Sequence, residues 1–501
     1  MPLPWASEAR RTIRRFGYRG QLACSALLAV LLRAWFFSAP ISPDEGGYLA
    51  IARTWRHGAS LYHDIWIDRP QGLLAIYRLF DMLGGGSGTV RLLSLMAAVM
   101  SVIGVAELVR SVASSTAGAV AGLIAAVITT APAVDGFAAN GELLGGAFGA
   151  LGLGIAARVL SGRSGARWMV CAGALAAGAM TIKQSAADSL VAVFAWLLLA
   201  ALIGPMSRGD AIRHLARLSL GAGVVLGALV LHALLTGWGD WWYAVLGYRL
   251  SQRSALHNAN WEQLSHTGRD VAGILLPVLL ASLAAVFVHL ATRRRGSPRP
   301  QMLQLLVPMW AVLAIGTFLS GGQFFHHYWI TLTFPLAALG GLLIGTLRSG
   351  SWRRGLCTAG VGYAAVSWVV FAALPREDIW PEINGERLPL KAEQVGEWLM
   401  PRMLAGDTLY AMCTVPALYA VTDRDPPYPY LWWDSVHQMV GAQAKLVALF
   451  DGPNPPTWVA QFNSTKACNP SGDVSEAMAE RYELVDTVAG IDIYHLLENN
   501  G

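Results

Sequence analysis

The chain has 501 residues, of which 54% are hydrophobic and only 14% charged, and its mean hydropathy is +0.44. Soluble globular proteins carry about a quarter charged residues, so this composition excludes a soluble fold for most of the chain. The formal net charge is +5. Because the arginines are spread over separate loops rather than gathered on one face, the charge gives no support to nucleic-acid binding.

Long apolar runs recur along the chain and indicate a polytopic membrane protein. A helix needs about 20 apolar residues to cross the hydrocarbon layer. The first run is followed by Pro40 and Pro43 rather than by a small-residue cleavage site, so we interpret it as a retained helix and not as a signal peptide. The predicted spans are residues 21–39, 90–109, 116–134, 142–160, 168–184, 188–204, 218–236, 270–291, 302–320, 328–347 and 355–374.

The basic residues predict the orientation of the chain. Lys and Arg in short loops stay in the cytoplasm, and here they precede the first span and occupy the even-numbered loops. With eleven spans, the pattern predicts a cytoplasmic N-terminus (1–20), a bacterial inner-membrane location and an extracytoplasmic C-terminal segment (375–501). The residues concerned are Arg10, Arg11, Arg14, Arg15 and Arg19, then Arg158, Arg163 and Arg167, Arg208, Arg213 and Arg217, Arg293, Arg294, Arg295 and Arg299, and Arg348, Arg353 and Arg354.

The first outer loop, residues 40–89, is acidic and is broken by Gly and Pro. Its segments 43–57 and 71–83 have the spacing of short amphipathic helices, which we expect to lie on the membrane surface. In the first of them, Tyr48 and Trp55 belong to the predicted apolar face.

Residues 375–501 lose the long apolar runs and have the pattern of a small α/β domain. Their only two cysteines, Cys413 and Cys468, could form a disulfide in an oxidising exterior or remain reduced. The predicted strands are 408–413, 457–462, 482–488 and 491–496, and the predicted helices are 390–402 and 434–450. The predicted fold is therefore an all-α polytopic membrane domain over residues 21–374, followed by an extracytoplasmic α/β domain.

The acidic motif Ser42-Pro43-Asp44-Glu45 follows the first span directly. Ser42 as N-cap and Glu45 three residues later form the pattern of a capping box, with Pro43 at the first helical position. The box does not require Asp44. A carboxylate beside a helix N-terminus could accept a proton from a hydroxyl group, so Asp44 is the better candidate for a general base.

One basic residue, Arg33, lies within the first predicted span. Its side chain either extends along the apolar surface to the interface or presents a fixed charge to the protein interior. In the second case it could serve a phosphate or hold Asp44.

Other polar residues stand at the outer ends of later spans. Glu142, with Asp135 as its nearest competitor, either caps the fourth span or provides a second acidic group for a sugar or a divalent cation. Lys183 and the pair His326-His327 are either interface anchors or groups that bind a phosphate. Neighbouring helical residues point about 100° apart, so the two histidines do not form a predicted zinc site.

Several motifs follow one another along residues 20–345. They are Arg33, Pro43-Asp44-Glu45-x-x-Tyr48, Gly58-x-x-Leu61-Tyr62-x-Asp64, Asp68-Arg69-Pro70-x-Gly72, Gly88-x-x-x-Arg91-Leu92, Lys183-Gln184, His326-His327-Tyr328 and Pro335. This series resembles the GT-C glycosyltransferases, and in particular the bacterial branch similar to protein O-mannosyltransferases and aminoarabinose transferases. Gln71 departs from the pattern, since that branch often has a second proline there.

The resemblance implies a hexosyl- or pentosyltransferase that uses a polyprenyl-phosphate sugar as donor and a hydroxyl group of a lipid, glycan or protein as acceptor. The acidic residue that acts as base in the family corresponds to Asp44, with Glu45 as its neighbour. The resemblance does not decide whether the reaction requires a divalent cation, and it implies no other cofactor. The expected substrate-binding residues are Arg33, Asp64, Glu142, Lys183, His326 and His327.

Three other classes of protein fit the sequence less well. A transporter or flippase of lipid-linked sugars is the main alternative, but internal repeats with matching broken spans are not evident. A ligase or polymerase of O-antigen would have its large loop late in the chain and no acidic motif after the first span. A binding protein without activity is less favoured because Asp44, Glu45 and Glu142 are all present.

Overall fold

The computed structural model describes residues 17–204, 206–251, 260–292, 302–385, 387–413 and 415–497. Arg10 to Arg15 and Arg293 to Arg299 lie outside the described residues. The orientation of the chain, which rests partly on these arginines, remains a prediction.

The chain divides into two compact units, each assembled from three segments. The helical unit comprises residues 1–37, 92–229 and 255–374. The mixed unit comprises residues 38–91, 230–254 and 375–501. The first outer loop and the terminal segment therefore belong to the same compact unit, although some 280 residues separate them in sequence.

Helices form most of the chain up to residue 372. In chain order they are α1 (Tyr18–Ala34), α2 (Pro43–Arg56), α3 (Gln71–Met82), α4 (Ser87–Val112), α5 (Ser115–Ile128), α6 (Gly141–Leu160), α7 (Trp168–Ile182), α8 (Asp188–Ile203), α9 (Arg208–Thr236), α10 (Trp238–Trp242), α11 (Tyr248–Ser251), α12 (Trp261–Ala291), α13 (Leu306–Ser320), α14 (Ile330–Gly345) and α15 (Gly350–Ala372).

Every predicted span overlaps one of these helices, and the predicted polytopic membrane fold is confirmed. The number of eleven membrane crossings remains a prediction. Seven helices in the described residues are long and apolar enough to cross a membrane, judged by length and composition. They are α4, α6, α9, α12, α13, α14 and α15. Helices α13 and α14 are counted here together with the 3-10 turns that precede them. Helices α5, α7 and α8 are apolar but shorter. The predicted and observed starts differ most for α9 and α12, which begin at Arg208 and Trp261, earlier than predicted. A helix forms its own backbone hydrogen bonds and can therefore continue from the apolar run into polar sequence.

Small residues allow close packing inside the helical unit. Gly341 and Gly345 of α14 face Ala121 and Ala117 of α5, and both pairs repeat every four residues. An added Cβ would lie 2.3 Å from the Ala121 Cβ at Gly341 and 2.4 Å from the Ala117 Cα at Gly345. This is the small-residue packing that lets membrane helices approach closely, since lipid provides little hydrophobic drive for their association.

The mixed unit adds a four-stranded sheet to α2 and α3. Its strands have the order β1-β2-β4-β3, with β1 and β2 parallel and the other pairs antiparallel. The elements of the terminal segment are α16 (Ile379–Asn384), α17 (Leu388–Leu399), β1 (Leu409–Ala411), α18 (Ala417–Thr422), α19 (Trp433–Gln438), α20 (Ala442–Asp451), β2 (Trp458–Gln461), α21 (Thr465–Cys468), α22 (Asp473–Arg481), β3 (Tyr482–Val488) and β4 (Ile491–Leu496).

The sequence predicted this terminal segment well, with one exception. All four strands lie within their predicted ranges, and Cys413 and Cys468 form a disulfide. The predicted helix 434–450 is wrong, because the chain forms two helices, α19 and α20. Gly441 has a φ of +77° between them, a left-handed conformation that interrupts helical hydrogen bonding.

Helix α2 exists as predicted but does not have the predicted single apolar face. All ten residues from Glu45 to Thr54 are buried in the protein. An added Cβ would lie 2.4 Å from Ala417 at Gly46 and 2.5 Å from the Trp432 ring at Gly47. The two glycines let the terminal segment approach the helix, so α2 is a buried helix of the mixed unit rather than an amphipathic surface helix.

Candidate functional site

Asp44 lies in the first turn of α2, where two neutral donors hold its carboxylate. The Tyr48 hydroxyl donates to Oδ2 over 3.3 Å, and the Trp432 indole Nε1 donates to Oδ1 over 3.2 Å. The Asp44 side chain is partly exposed. The positive end of the α2 dipole favours negative charge at this position. The site therefore holds a carboxylate in a defined position with access from solvent.

Glu45 has a different environment, in which both carboxylate oxygens have partners. The predicted capping box is confirmed: the Ser42 side chain accepts from the Glu45 amide, and Glu45 Oε2 accepts from the Ser42 amide over 3.0 Å. Glu45 Oε1 forms an ion pair with Arg91, whose other terminal nitrogen donates to the carbonyls of Ala39 and Pro40. Glu45 is fully buried and ties the start of α2 to Arg91.

A cationic cluster in the mixed unit contains residues that the sequence did not single out as binding residues. Asp68 forms ion pairs with Arg69 over 2.8 Å and with Arg249. Burial alone would raise the pKa of Asp68, but the charges of Arg249 and Arg69 outweigh it and hold the pKa below its usual value. Two guanidinium groups therefore meet at one buried carboxylate.

Aromatic side chains join this cluster to the segment that carries Trp432. Trp66 packs edge-on against Tyr248, with ring centroids 5.0 Å apart, and against Tyr430, with centroids 6.0 Å apart. Burial and the nearby Asp68 and Asp434 raise the pKa of Tyr248 to about 12. Because Tyr430 and Trp432 belong to one short segment, the environments of Asp44 and Asp68 are structurally connected within the mixed unit.

Gln71, the departure from the family pattern, has a structural role. Its Oε1 accepts from the Trp241 indole over 2.7 Å and from the Tyr62 hydroxyl over 3.3 Å. Tyr62 also donates to the Arg69 carbonyl, and burial raises its pKa well above the usual value. Gln71 therefore orders the backbone beside Arg69.

The helical unit contains a second polar cluster, formed by Glu142, Lys183, His327 and Asp135. Glu142 forms an ion pair with Lys183, and its Oε1 lies 3.8 Å from His327 Nε2. The other side of the His327 ring lies 3.6 Å from Asp135 Oδ2. Lys183 Nζ also lies 4.2 Å above the ring of Tyr328. Asn140 caps α6, so Glu142 is not needed for that purpose.

The remaining predicted residues lie apart from these clusters. Arg33 is buried inside the helical unit, where its terminal nitrogens donate to the carbonyls of Ser94 and Thr129 over 2.9 Å each. His326 Nε2 lies 3.0 Å from Asp270 Oδ2. Asp64 is exposed and accepts from the Ser60 amide in a turn.

In the described part of the chain, no group of three or more His, Cys, Asp or Glu side chains has a geometry that could hold a metal ion.

The motif Asp68-Arg69-Pro70-x-Gly72 was recognised in the sequence, but no sequence motif includes Arg249, the other partner of Asp68. An ion pair between residues so far apart in sequence depends on how the segments fold together.

Comparisons with known proteins agree with this architecture. Residues 68–235 match the family of dolichyl-phosphate-mannose-protein mannosyltransferases. The crystal structure of ArnT from Cupriavidus metallidurans bound to undecaprenyl phosphate superposes with a TM-score of 0.65 at 14% identity, covering 96% of this chain and 98% of that one. The chain has the GT-C fold.

Other GT-C structures are also similar. The Archaeoglobus fulgidus oligosaccharyltransferase tethered to an acceptor peptide has a TM-score of 0.58 at 11% identity, covering 93% of this chain and 72% of that one. AglB from the same organism, in complex with an inhibitory peptide and dolichol-phosphate, has a TM-score of 0.53 at 13% identity, covering 97% and 75%. No curated protein matches the chain by sequence. The resemblance to GT-C proteins inferred from the motifs is confirmed.

Proposed function

We propose that this chain is a membrane glycosyltransferase of the GT-C type. It moves a sugar from a polyprenyl-phosphate carrier to a hydroxyl group of a lipid, glycan or protein acceptor on the extracytoplasmic face of the bacterial inner membrane. The observation that carries the proposal is the Asp44 carboxylate, partly exposed at the start of α2 and held by Tyr48 and Trp432. The undecaprenyl phosphate bound by ArnT and the dolichol-phosphate bound by AglB support a carrier of this class.

Asp44 acts as the general base. The acceptor hydroxyl transfers its proton to the carboxylate while its oxygen bonds to the anomeric carbon of the sugar. The bond between that carbon and the phosphate oxygen breaks, and its electron pair leaves on the phosphate. A single displacement inverts the anomeric centre. General base catalysis of this kind contributes about 10²–10⁴ in rate.

Arg69 and Arg249 bind the carrier phosphate. Guanidinium groups bind phosphate through two parallel hydrogen bonds. Arg249 is 40% exposed, so it can reach a ligand. Because these residues belong to the same unit as Asp44, base and phosphate ligands are held by one compact structure.

In the helical unit, we assign Glu142, Lys183 and His327 to substrate binding. A carboxylate accepts hydrogen bonds from sugar hydroxyls, while the ammonium and imidazole groups donate to a sugar or to phosphate oxygen. Arg33 and His326 have structural roles. Arg33 donates to two backbone carbonyls, and His326 contacts Asp270. Glu45 positions α2, and Asp64 stabilises a turn.

The test is sugar release from labelled polyprenyl-phosphate mannose, arabinose and glucose by the purified protein in detergent, with crude envelope as acceptor. Wild type is compared with Asp44→Asn and with Asp64→Asn, an exposed carboxylate in the same loop. We expect donor consumption to be lost only in Asp44→Asn. A chelator arm tests whether a divalent cation contributes.

Two results would contradict the proposal. Full activity of Asp44→Asn would remove Asp44 as the base. Movement of the labelled carrier across vesicles without sugar release, in wild type and variant alike, would support a transporter or flippase instead.

A further inference from the structure

The indole of Trp432 connects the terminal segment to the proposed base. Its Nε1 donates to Asp44 Oδ1 over 3.2 Å, while the Tyr48 hydroxyl donates to Oδ2. Trp432 is the residue just before α19, whereas Asp44 begins α2. One oxygen of the proposed base is thus held by a residue that lies 388 positions away in sequence.

The Trp432 ring is fixed from several sides. Gly47 allows the ring to pack on α2, since an added Cβ would lie 2.5 Å from the ring. The Tyr48 ring lies beside it, with centroids 6.1 Å apart. The buried Ser435 hydroxyl donates to the Trp432 carbonyl over 2.7 Å. These contacts leave the indole little freedom to turn away from Asp44.

We propose that Trp432 is a positioning residue for Asp44, through which the terminal segment takes part in the transfer reaction. The inference rests on the proposed function. By donating to Oδ1, the indole sets the orientation of the carboxylate toward the acceptor hydroxyl. A hydrogen bond to the charged form of a carboxylate also favours that form over the protonated acid.

Other charged and titratable groups also lie around α2. They include Glu45, Tyr48 and Arg53 on α2, Tyr77 and Asp81 on α3, Arg91, and Asp423 and Asp434 in the terminal segment. Because Trp432→Phe keeps all of these residues, its effect on the reaction reports the loss of the indole donor.

The test compares Trp432→Phe with Trp433→Phe, which alters a neighbouring exposed ring that contacts the His437 ring. We expect Trp432→Phe to lower kcat about tenfold while KM stays close to the wild-type value, because the indole acts on the base and not on the substrate. Trp433→Phe should leave both unchanged. A wild-type kcat in Trp432→Phe, with Asp44→Asn inactive, would overturn the inference and leave the proposed function standing. An active Asp44→Asn would contradict both.

A second measurement does not depend on activity. Protein labelled with 5-fluorotryptophan gives one ¹⁹F signal that is missing in Trp432→Phe and so belongs to Trp432. We expect this signal to move in Asp44→Asn and to keep its wild-type position in Asp64→Asn. An unchanged position in Asp44→Asn would overturn the inference, because the indole would then not sense the carboxylate.

Discussion

Arg91 Nη1 lies 2.5 Å from Glu45 Oε1, and both side chains are almost completely buried. Within the mixed unit, this ion pair joins the start of α2 to the beginning of α4. It also fixes the residue directly after Asp44, so the orientation of the proposed base depends on a pair that does no chemistry itself.

We expect Glu45→Ala to reduce the free energy of unfolding strongly. Removal of one partner leaves the Arg91 charge buried without its carboxylate, which costs about 3–5 kcal/mol. The measurement is thermal unfolding of purified protein in detergent. Glu393→Ala is the matched control, because its pair with Arg376 is partly exposed and contributes about 1 kcal/mol or less. Similar losses in both variants would contradict this reading of the Glu45 environment.

Asp68 should contribute stability that depends on pH. Its pKa in the folded protein is below the usual value of about 4, so the folded state favours its charged form. This contribution is fully present above the unfolded pKa and is lost as pH falls through the folded pKa. We expect Asp68→Asn to unfold at a lower temperature than wild type at pH 7, with the difference shrinking below about pH 4. A difference that stays constant down to the lowest accessible pH would argue against ion pairing at Asp68.

The Lys183–Glu142 pair can be measured by a double-mutant cycle. Lys183→Met leaves Glu142 buried without its cation, and Glu142→Gln removes the charge. The double variant should therefore be more stable than the sum of the single losses predicts, with a coupling energy of about 0.5–3 kcal/mol. Thermal unfolding of the four proteins provides the values. Additive losses would mean that the two groups do not interact in solution.

Gly341→Ala should destabilise the packing of α14 on α5. The added Cβ would lie 2.3 Å from the Ala121 Cβ, and such overpacking costs about 1–3 kcal/mol. Gly227→Ala is the control, because nothing lies within 4 Å of a Cβ at that position in α9. There, the higher helix propensity of alanine predicts no loss of stability. Equal unfolding temperatures for the two variants would contradict the close approach of α14 to α5.

The disulfide between Cys413 and Cys468 gives a test of orientation. Disulfides persist in oxidising compartments, so the bond is expected in cells if residues 375–501 are extracytoplasmic. The chain has five cysteines, of which three are free. We expect denatured protein from cells to bind three thiol-reactive labels before reduction and five after it. Five labels without prior reduction would place the segment on the reducing side.

Local features of this protein could be predicted because their cause is local. The capping box of Ser42 and Glu45 joins residues three positions apart, and the first four residues of the strand Ile491–Leu496 alternate between buried and partly buried. Helix α2 was predicted with nearly correct ends, yet its environment was not. Its burial depends on Ala417 and Trp432, which no pattern within residues 43–56 encodes.

The sequence by itself determined the apolar helices of the polytopic fold, because about 20 apolar residues are needed to cross the hydrocarbon layer and each run carries that information alone. It also determined the strands of the terminal segment and identified Asp44 as a candidate base. Only the tertiary structure decided the partners, namely Arg91 for Glu45, Trp432 for Asp44 and Arg249 for Asp68. The physical reason is that a hydrogen bond or ion pair between distant segments exists only when the packing of the whole unit brings the two groups within about 3 Å.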